Sequence, residues 1–115
     1  MSDFSELQSK VVKFRDDRDW KQFHHPKDLA ISLVLEASEV LEHFQWRNSG
    51  ELEDYLNKEK SKVVEELADV FKYLLLLSHE LDIDLIEATY NKMEKDAQKY
   101  PVDKAKGSHK KYNEL

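Results

Sequence analysis

Apolar residues recur along the chain with the spacing of amphipathic helices. This pattern predicts four helices, over Phe4–Asp19, Pro26–Trp46, Ser61–Leu81 and Asp84–Tyr100. Pro26 suits the first turn of the second helix, and Asn48, Ser49 and Gly50 are interpreted as the turn that closes it. Pro101 ends the fourth helix, so residues 101–115 are predicted to be a polar, basic tail that is mobile or ordered only by a ligand or partner.

The composition agrees with an all-α fold. The chain has two Gly, two Pro and 37% charged residues in 115 positions, so the punctuation that strands need is missing. The length predicts one domain, over residues 1–100, followed by the tail. There is no cysteine and no apolar signal core near the start, and the longest apolar run, "YLLLL", is far short of the ~20 residues of a membrane span. We therefore expect a cytoplasmic protein without a membrane partner.

The charge balance argues against nucleic-acid binding. The net charge is −6, with 24 acidic and 18 basic residues, whereas binding to a phosphate backbone needs a basic face. A smaller polyanion can still bind where metal ions or local lysines reverse the sign of the charge.

Acidic residues interrupt the apolar runs of the second and third helices at matched spacing. Glu36 and Glu39 form one pair and Glu66 and Asp69 the other, each with an inner acid and a flanking acid at i, i+3. Isolated carboxylates in a core cost several kcal/mol, and four together repel one another, so a bound cation would stabilise them. Oxygen ligands favour Mg²⁺, with Mn²⁺ as a substitute.

These acids have two other interpretations. They can pair with Lys or Arg, or lie just outside the core, as most helical glutamates do. A di-iron carboxylate bundle would need Glu-x-x-His on two helices, and no such pair exists in this sequence.

Aromatic residues flank the acidic second helix. Trp20 precedes it and Trp46 ends it, so their rings are available to stack on a nucleobase, although core packing is the commoner role of a tryptophan. His24 can hydrogen-bond a ligand, whereas His25 is expected to cap the loop before Pro26.

Together these stretches resemble the MazG-like nucleotide pyrophosphohydrolases, most closely the branch that hydrolyses dCTP. The resemblance rests on "RDWKQFHHPKDLA", the acids Glu36 and Glu39 followed by "LEHFQW", then "VEELADV" and "KKYNEL". It implies an all-α, four-helix bundle completed by dimerisation, as a homodimer or a dimer of dimers (homotetramer). It also implies Mg²⁺-dependent hydrolysis of a nucleoside triphosphate to the monophosphate and pyrophosphate.

The resemblance also implies residue roles. Four residues match the metal-binding acids of the family, Glu36, Glu39, Glu66 and Asp69. Five match positions at or near the base, sugar and phosphate pocket, namely Trp20, His24, Trp46, Tyr73 and Lys92. Lys92 is a candidate for neutralising phosphate charge, as are Lys110 and Lys111. The sequence departs from the family pattern at Leu35 and Ser38, where glycine is frequent, and at Asp28, where asparagine is frequent.

Three hypotheses follow for function. The first is a pyrophosphohydrolase that cleans the nucleotide pool, with dCTP as the preferred substrate. The second is a nucleotide- or Mg²⁺-binding regulator without turnover, and the third is a purely structural helical oligomer. The intact set of four acids favours the enzyme.

Overall fold

The computed structural model describes residues 2–115, and within them the ordered elements are all helical, as predicted. The chain forms two compact units, one extending to Asp82 and the other comprising Ile83–Leu115. The first unit contains α1 (Asp3–Asp17), a 3₁₀ turn (Lys21–Phe23), α2 (Pro26–Glu42) and α3 (Ser49–Glu80). The second contains α4 (Leu85–Lys99), the one-turn helix α5 (Val102–Ala105) and a 3₁₀ turn (Tyr112–Glu114).

Side-chain caps fix where α2 begins. Pro26 occupies its first turn, and the Nδ1 atom of His25 accepts a hydrogen bond of 3.2 Å from the backbone N–H of Lys27. The position of Pro26 was expected, because the first turn of a helix leaves its N–H groups unpaired and proline has none. His25 was expected to cap the loop before Pro26, whereas in the structure its side chain caps the helix itself.

The start of α3 differs from the prediction by 12 residues, since the helix begins at Ser49 instead of Ser61. Asn48 does not close α2. It caps α3, because its Oδ1 accepts from the N–H of Glu51 (2.9 Å) and its amide donates to the Glu51 carboxylate (2.9 Å). This reciprocal pair satisfies free groups of the first turn, so the helix starts there. The preceding helix ends at Glu42, four residues earlier than predicted.

The core of the first unit is small. α2 and α1 both pack on α3, and the buried apolar side chains are Leu29, Val63, Leu75 and Leu76. Gln8 links α1 to α3 by donating to the carbonyl of Leu75 (2.9 Å) and to Oγ of Ser78 (3.1 Å). These contacts hold α1, α2 and α3 together, and the predicted acids lie on α2 and α3.

Large apolar side chains remain exposed on the outer side of α2. Ile31, Val34, Leu35 and Leu41 are 48–64% exposed, and the first three line an apolar groove with Lys27 and Ala30. Their spacing of i, i+3, i+4 and i+10 is that of a helix face which packs against another helix. The chain itself therefore leaves an apolar face of α2 uncovered.

The second unit gives structure to part of the predicted tail. The ring of Tyr112 packs edge to face on Tyr100 at 6.3 Å, and Nζ of Lys99 lies 4.8 Å from the Tyr112 ring centroid. Among residues 2–115, no helix is both long enough and apolar enough to cross a membrane.

Candidate active site

The four predicted acids lie on two helices that pack against each other. Glu36 and Glu39 are on α2, and Glu66 and Asp69 are on α3. Glu36, Glu66 and Asp69 are half-buried, whereas Glu39 is exposed. The carboxylates therefore lie at the edge of the core, where a cation from solvent can reach them.

The charges of these acids act on one another across the two helices. Burial raises the pKa of Glu36 above its ordinary value, and a hydrogen bond with the Glu39 side chain raises it further. The negative charges of Glu39, Asp69 and Glu66 raise the same pKa. We refer to these four residues, which lie on the packed helices α2 and α3, as the acidic cluster.

Basic partners explain only part of this cluster. Asp69 forms a partly exposed ion pair with Lys72 at 3.7 Å, and Glu66 is hydrogen-bonded to the ring of His43. Within residues 2–115, Glu36 and Glu39 have no Lys, Arg or His in salt-bridge contact. The interpretation that all four acids are structural ion-pair partners therefore fails for the α2 pair.

The donor set fits a hard divalent cation in its chemistry. Carboxylate oxygens are the ligands that Mg²⁺ and Mn²⁺ prefer in proteins. No group of three or more His, Asp or Glu among the described residues is already arranged to hold a metal ion. Coordination by all four acids would therefore require their side chains to close around the ion.

Three of the five predicted substrate-binding residues share one cleft. Trp20, His24 and Tyr73 line it, and the other lining residues are Val11, Phe14, Arg15, Lys72 and Leu76. The Trp20 ring is 45% exposed and packs edge to face on Phe14 at 5.9 Å. The cleft thus combines an accessible aromatic ring with polar groups, which are the components of a nucleobase site.

His24 is a neutral hydrogen-bonding group in this cleft. Its Nδ1 atom is buried and has no hydrogen-bond partner among the described residues. Burial lowers the pKa of His24, and the positive charge of Arg15 lowers it further, while Glu80 opposes both effects. The unpaired Nδ1 is therefore available to a ligand that enters the cleft.

The other two predicted substrate residues lie elsewhere. Trp46 is 90% exposed, which excludes core packing within this chain, and its φ of +68° turns the backbone sharply between α2 and α3. Lys92 belongs to the second unit, where it pairs with Asp96 one turn along α4. The pocket roles of Trp46 and Lys92 stay predictions.

The structure adds polar residues that the sequence analysis did not single out. His43 contacts Glu66 directly, Tyr55 contacts His43, and Arg15 lines the cleft. The search for histidines tested Glu-x-x-His spacing, whereas His43 follows Glu39 by four residues. Arg15 could have been found from the sequence as a charged residue that follows the apolar residues Val11, Val12 and Phe14.

Comparison with known proteins places this chain among relatives of similar sequence and fold. The MazG-like family matches residues 31–115. dCTP pyrophosphatase 1 from Rattus norvegicus is 40% identical over 106 residues, and the protein of the same name from Homo sapiens is 39% identical over 106 residues. In each case the match covers 90% of this chain but 62% of the relative, so the chain spans under two thirds of those proteins.

A solved structure matches this chain over nearly its own full length. The crystal structure of a pyrophosphatase from Archaeoglobus fulgidus DSM 4304 has a TM-score of 0.82 and 45% sequence identity. The superposition covers 88% of this chain and 94% of the archaeal one. Likeness of this extent in both sequence and backbone, together with the family match, leads to one conclusion: this chain belongs to the MazG-like family.

Proposed function

We propose that the protein hydrolyses deoxynucleoside triphosphates to the monophosphate and pyrophosphate, with dCTP preferred and Mg²⁺ required. Mn²⁺ is the expected substitute. The relatives named dCTP pyrophosphatase 1 support this reaction and this substrate, and the archaeal pyrophosphatase supports the release of pyrophosphate. The role in the cell would be removal of unwanted nucleotides from the pool.

The observation that carries the proposal is the acidic cluster across α2 and α3. Three carboxylates raise the pKa of Glu36, and the α2 pair has no basic partner among the described residues. A protein gains nothing in stability from such repulsion, so a functional role is the better explanation. Glu36, Glu39, Glu66 and Asp69 would hold the ion, which when bound neutralises phosphate charge and activates water.

The cleft beside α1 would take the nucleoside. Trp20 offers a face for stacking, His24 a neutral hydrogen-bonding nitrogen and Tyr73 a further aromatic wall. Stacking contributes ~1–3 kcal/mol per base without selecting among bases, so selection falls to the polar groups. Lys92, Lys110 and Lys111 are proposed to neutralise phosphate charge, and Trp46 to contact the base from outside the cleft.

Self-association belongs to the same proposal. The exposed apolar face of α2 would be covered by a second copy of the chain, as a homodimer or a homotetramer. Covering Ile31, Val34, Leu35 and Leu41 would stabilise the assembly by about 25 cal/mol per Å² of apolar surface removed from water.

A steady-state assay with each dNTP tests the reaction. Pyrophosphate and dCMP should appear from dCTP with Mg²⁺ and disappear with EDTA. Glu36→Gln should lower kcat by about a hundredfold or more, because one ligand of the ion that neutralises phosphate charge is lost. Glu42→Gln is the matched control, since Glu42 is exposed at the end of the same helix and lies outside the cluster.

The products separate the alternatives. Orthophosphate as the first product would indicate a phosphatase and contradict the proposed reaction. Saturable binding of dCTP without any product would indicate the regulator. Absence of both binding and turnover would leave the structural oligomer.

A further inference from the structure

His43 connects Tyr55 to Glu66 through a continuous chain of hydrogen bonds. Its Nε2 atom bonds to Oε2 of Glu66, and its Nδ1 atom bonds to the hydroxyl of Tyr55. The side chain of His43 is 11% exposed and that of Glu66 is 26% exposed, so water competes weakly for these bonds. His43 follows the last residue of α2, whereas both of its partners are on α3.

Glu66 is the acceptor in the first of these bonds. A carboxylate oxygen accepts, so Nε2 of His43 carries a proton and donates to Glu66. Nδ1 shares the second bond with the Tyr55 hydroxyl, a group that both donates and accepts. Both ring nitrogens therefore have a partner, and the two bonds together fix the orientation of the ring.

Arg47 holds the Tyr55 end of this chain of hydrogen bonds in place. Its guanidinium carbon lies 3.8 Å from the Tyr55 ring centroid, and its Nη1 donates to the carbonyl of His43 at 2.9 Å. The Tyr55 and His43 rings are also in contact, with centroids 5.7 Å apart. These contacts restrict the rotamers of both rings, so the bond to Glu66 starts from a rigid support.

We propose that His43, oriented by Tyr55, is a positioning residue that fixes Glu66 for cation binding. The histidine engages Oε2 and leaves Oε1 for the ion. The inference rests on the proposed function, because it requires the acidic cluster to bind a divalent cation. It goes further by assigning a role to two residues outside that cluster.

The rigid support has an energetic consequence. A carboxylate already held in one orientation loses less side-chain entropy when it binds an ion. Partners that orient a metal ligand typically change metal affinity by ~10–100-fold when they are removed. His43 should therefore affect cation affinity without touching the cation.

Calorimetric titration of Mn²⁺ into the folded, metal-free protein tests this role. His43→Leu removes both hydrogen bonds at similar volume and should raise the Mn²⁺ Kd by about tenfold or more. His43→Gln keeps an amide donor and should recover part of that loss. Tyr55→Phe keeps the ring under Arg47 and removes only the hydroxyl, so a smaller increase of about two- to fivefold is expected.

His79→Leu is the matched control, because His79 is an exposed histidine on the same helix as Glu66 and lies far along it. It should leave the Mn²⁺ Kd unchanged. Thermal melting of each metal-free variant shows whether it is folded at the titration temperature. Tyr55→Phe provides the test should His43→Leu fail to fold.

Each other outcome overturns the inference in a distinguishable way. Wild-type affinity in both His43→Leu and Tyr55→Phe would show that the hydrogen-bond chain is only structural. Tighter Mn²⁺ binding by His43→Leu would show that His43 competes with the cation for Glu66. Absence of Mn²⁺ binding by the wild type would overturn the metal role of the acidic cluster and this inference with it.

Discussion

Arg15 of α1 and Glu80 of α3 form an ion pair in which the arginine side chain is only 2% exposed and the glutamate 19%. Nε of Arg15 also contacts Asp16 at 3.1 Å, and the guanidinium lies in the cleft beside Trp20 and His24. This ion pair therefore connects α1 to the end of α3, and its arginine places a positive charge in the wall of the cleft.

The two partners should contribute unequally to stability. Glu80→Met leaves a nearly buried guanidinium with Asp16 alone and should cost about 3 kcal/mol, whereas Arg15→Met leaves a carboxylate that water still reaches and should cost about 1–2 kcal/mol. The double variant Arg15→Met/Glu80→Met should lose less than the sum of the two, because two apolar side chains replace two matched charges. Urea denaturation measures all three changes.

The exposed pair of Lys13 and Asp17 is the control for that prediction. Its atoms are 2.7 Å apart, but both side chains are more than half exposed. Lys13→Met should therefore change the free energy of unfolding by less than about 0.5 kcal/mol. A strictly additive Arg15/Glu80 double variant would contradict the interpretation of a coupled pair.

The helices could be predicted from the sequence, but their ends only where one signal was unambiguous. Pro26 defined the start of α2 correctly. Asn48, Ser49 and Gly50 suit the end of one helix as well as the start of the next, and the reciprocal bond between Asn48 and Glu51 decides for the start.

The acids of the candidate site were also accessible to prediction, because apolar periodicity reveals a charged residue on a buried face. The bonds that join Glu66 to His43 and Arg15 to Glu80 were not. Each crosses between helices, so it depends on the packing register of two elements, which helical periodicity along one element does not contain.

The lowered pKa of His24 predicts a pH dependence of stability. The folded protein disfavours protonated His24, while the unfolded chain titrates near the ordinary value of 6.5. Below about pH 6.5 the unfolded state thus binds more protons than the folded state. The free energy of unfolding therefore decreases as the pH falls from about 6.5 to the folded pKa of His24, and above about pH 6.5 His24 does not affect it. Thermal melts should show this loss for the wild type and a weaker one for His24→Gln.

His79→Gln is the control for this comparison, since His79 is exposed. Its melting profile should parallel that of the wild type across the pH range. A His24→Gln variant with the full wild-type loss on acidification would assign the pH dependence to other groups.

The raised pKa of Glu36 predicts the opposite sign. The folded state binds the proton more tightly than the unfolded chain, whose value is near 4.5, so stability is lost as the pH rises from that value through the folded pKa. Glu36→Gln should therefore raise metal-free stability at neutral pH, by at most about 1 kcal/mol, and have little effect below pH 4.5. Chemical denaturation at the two pH values, in EDTA, measures the difference.

Adding Mg²⁺ should reverse that order at neutral pH. The wild type gains stability from the bound ion, whereas Glu36→Gln has lost a ligand and gains less. If Glu36→Gln melts well below the wild type without metal, Glu36 makes a stabilising contact in the folded protein, and that contact outweighs its repulsion by the other acids.

The exposed face of α2 predicts association of the chain with itself. The wild type should have the mass of two or four chains in light scattering. Val34→Glu places a charge in that face, where Val34 is 64% exposed, and should weaken association by at least about tenfold because an unpaired carboxylate would be buried. Val102→Glu is the control, since Val102 is 76% exposed in the second unit. A wild type that stays monomeric at micromolar concentration would contradict the prediction.

The last prediction separates stacking from base selection. Trp20 lines the cleft, so Trp20→Ala should raise KM for dCTP and dATP by similar factors, about 5- to 100-fold, and leave the ratio of their kcat/KM values unchanged. Trp46→Ala should leave folding stability within about 0.5 kcal/mol, since the side chain is 90% exposed, and any increase in KM then reports contact with substrate. If Trp20→Ala loses the difference in kcat/KM between dCTP and dATP, the Trp20 ring itself selects the base. Faster turnover of dATP or dGTP than of dCTP by the wild type would refute the proposed preference for dCTP, whereas the argument for the acidic cluster would still hold because it concerns only the phosphates.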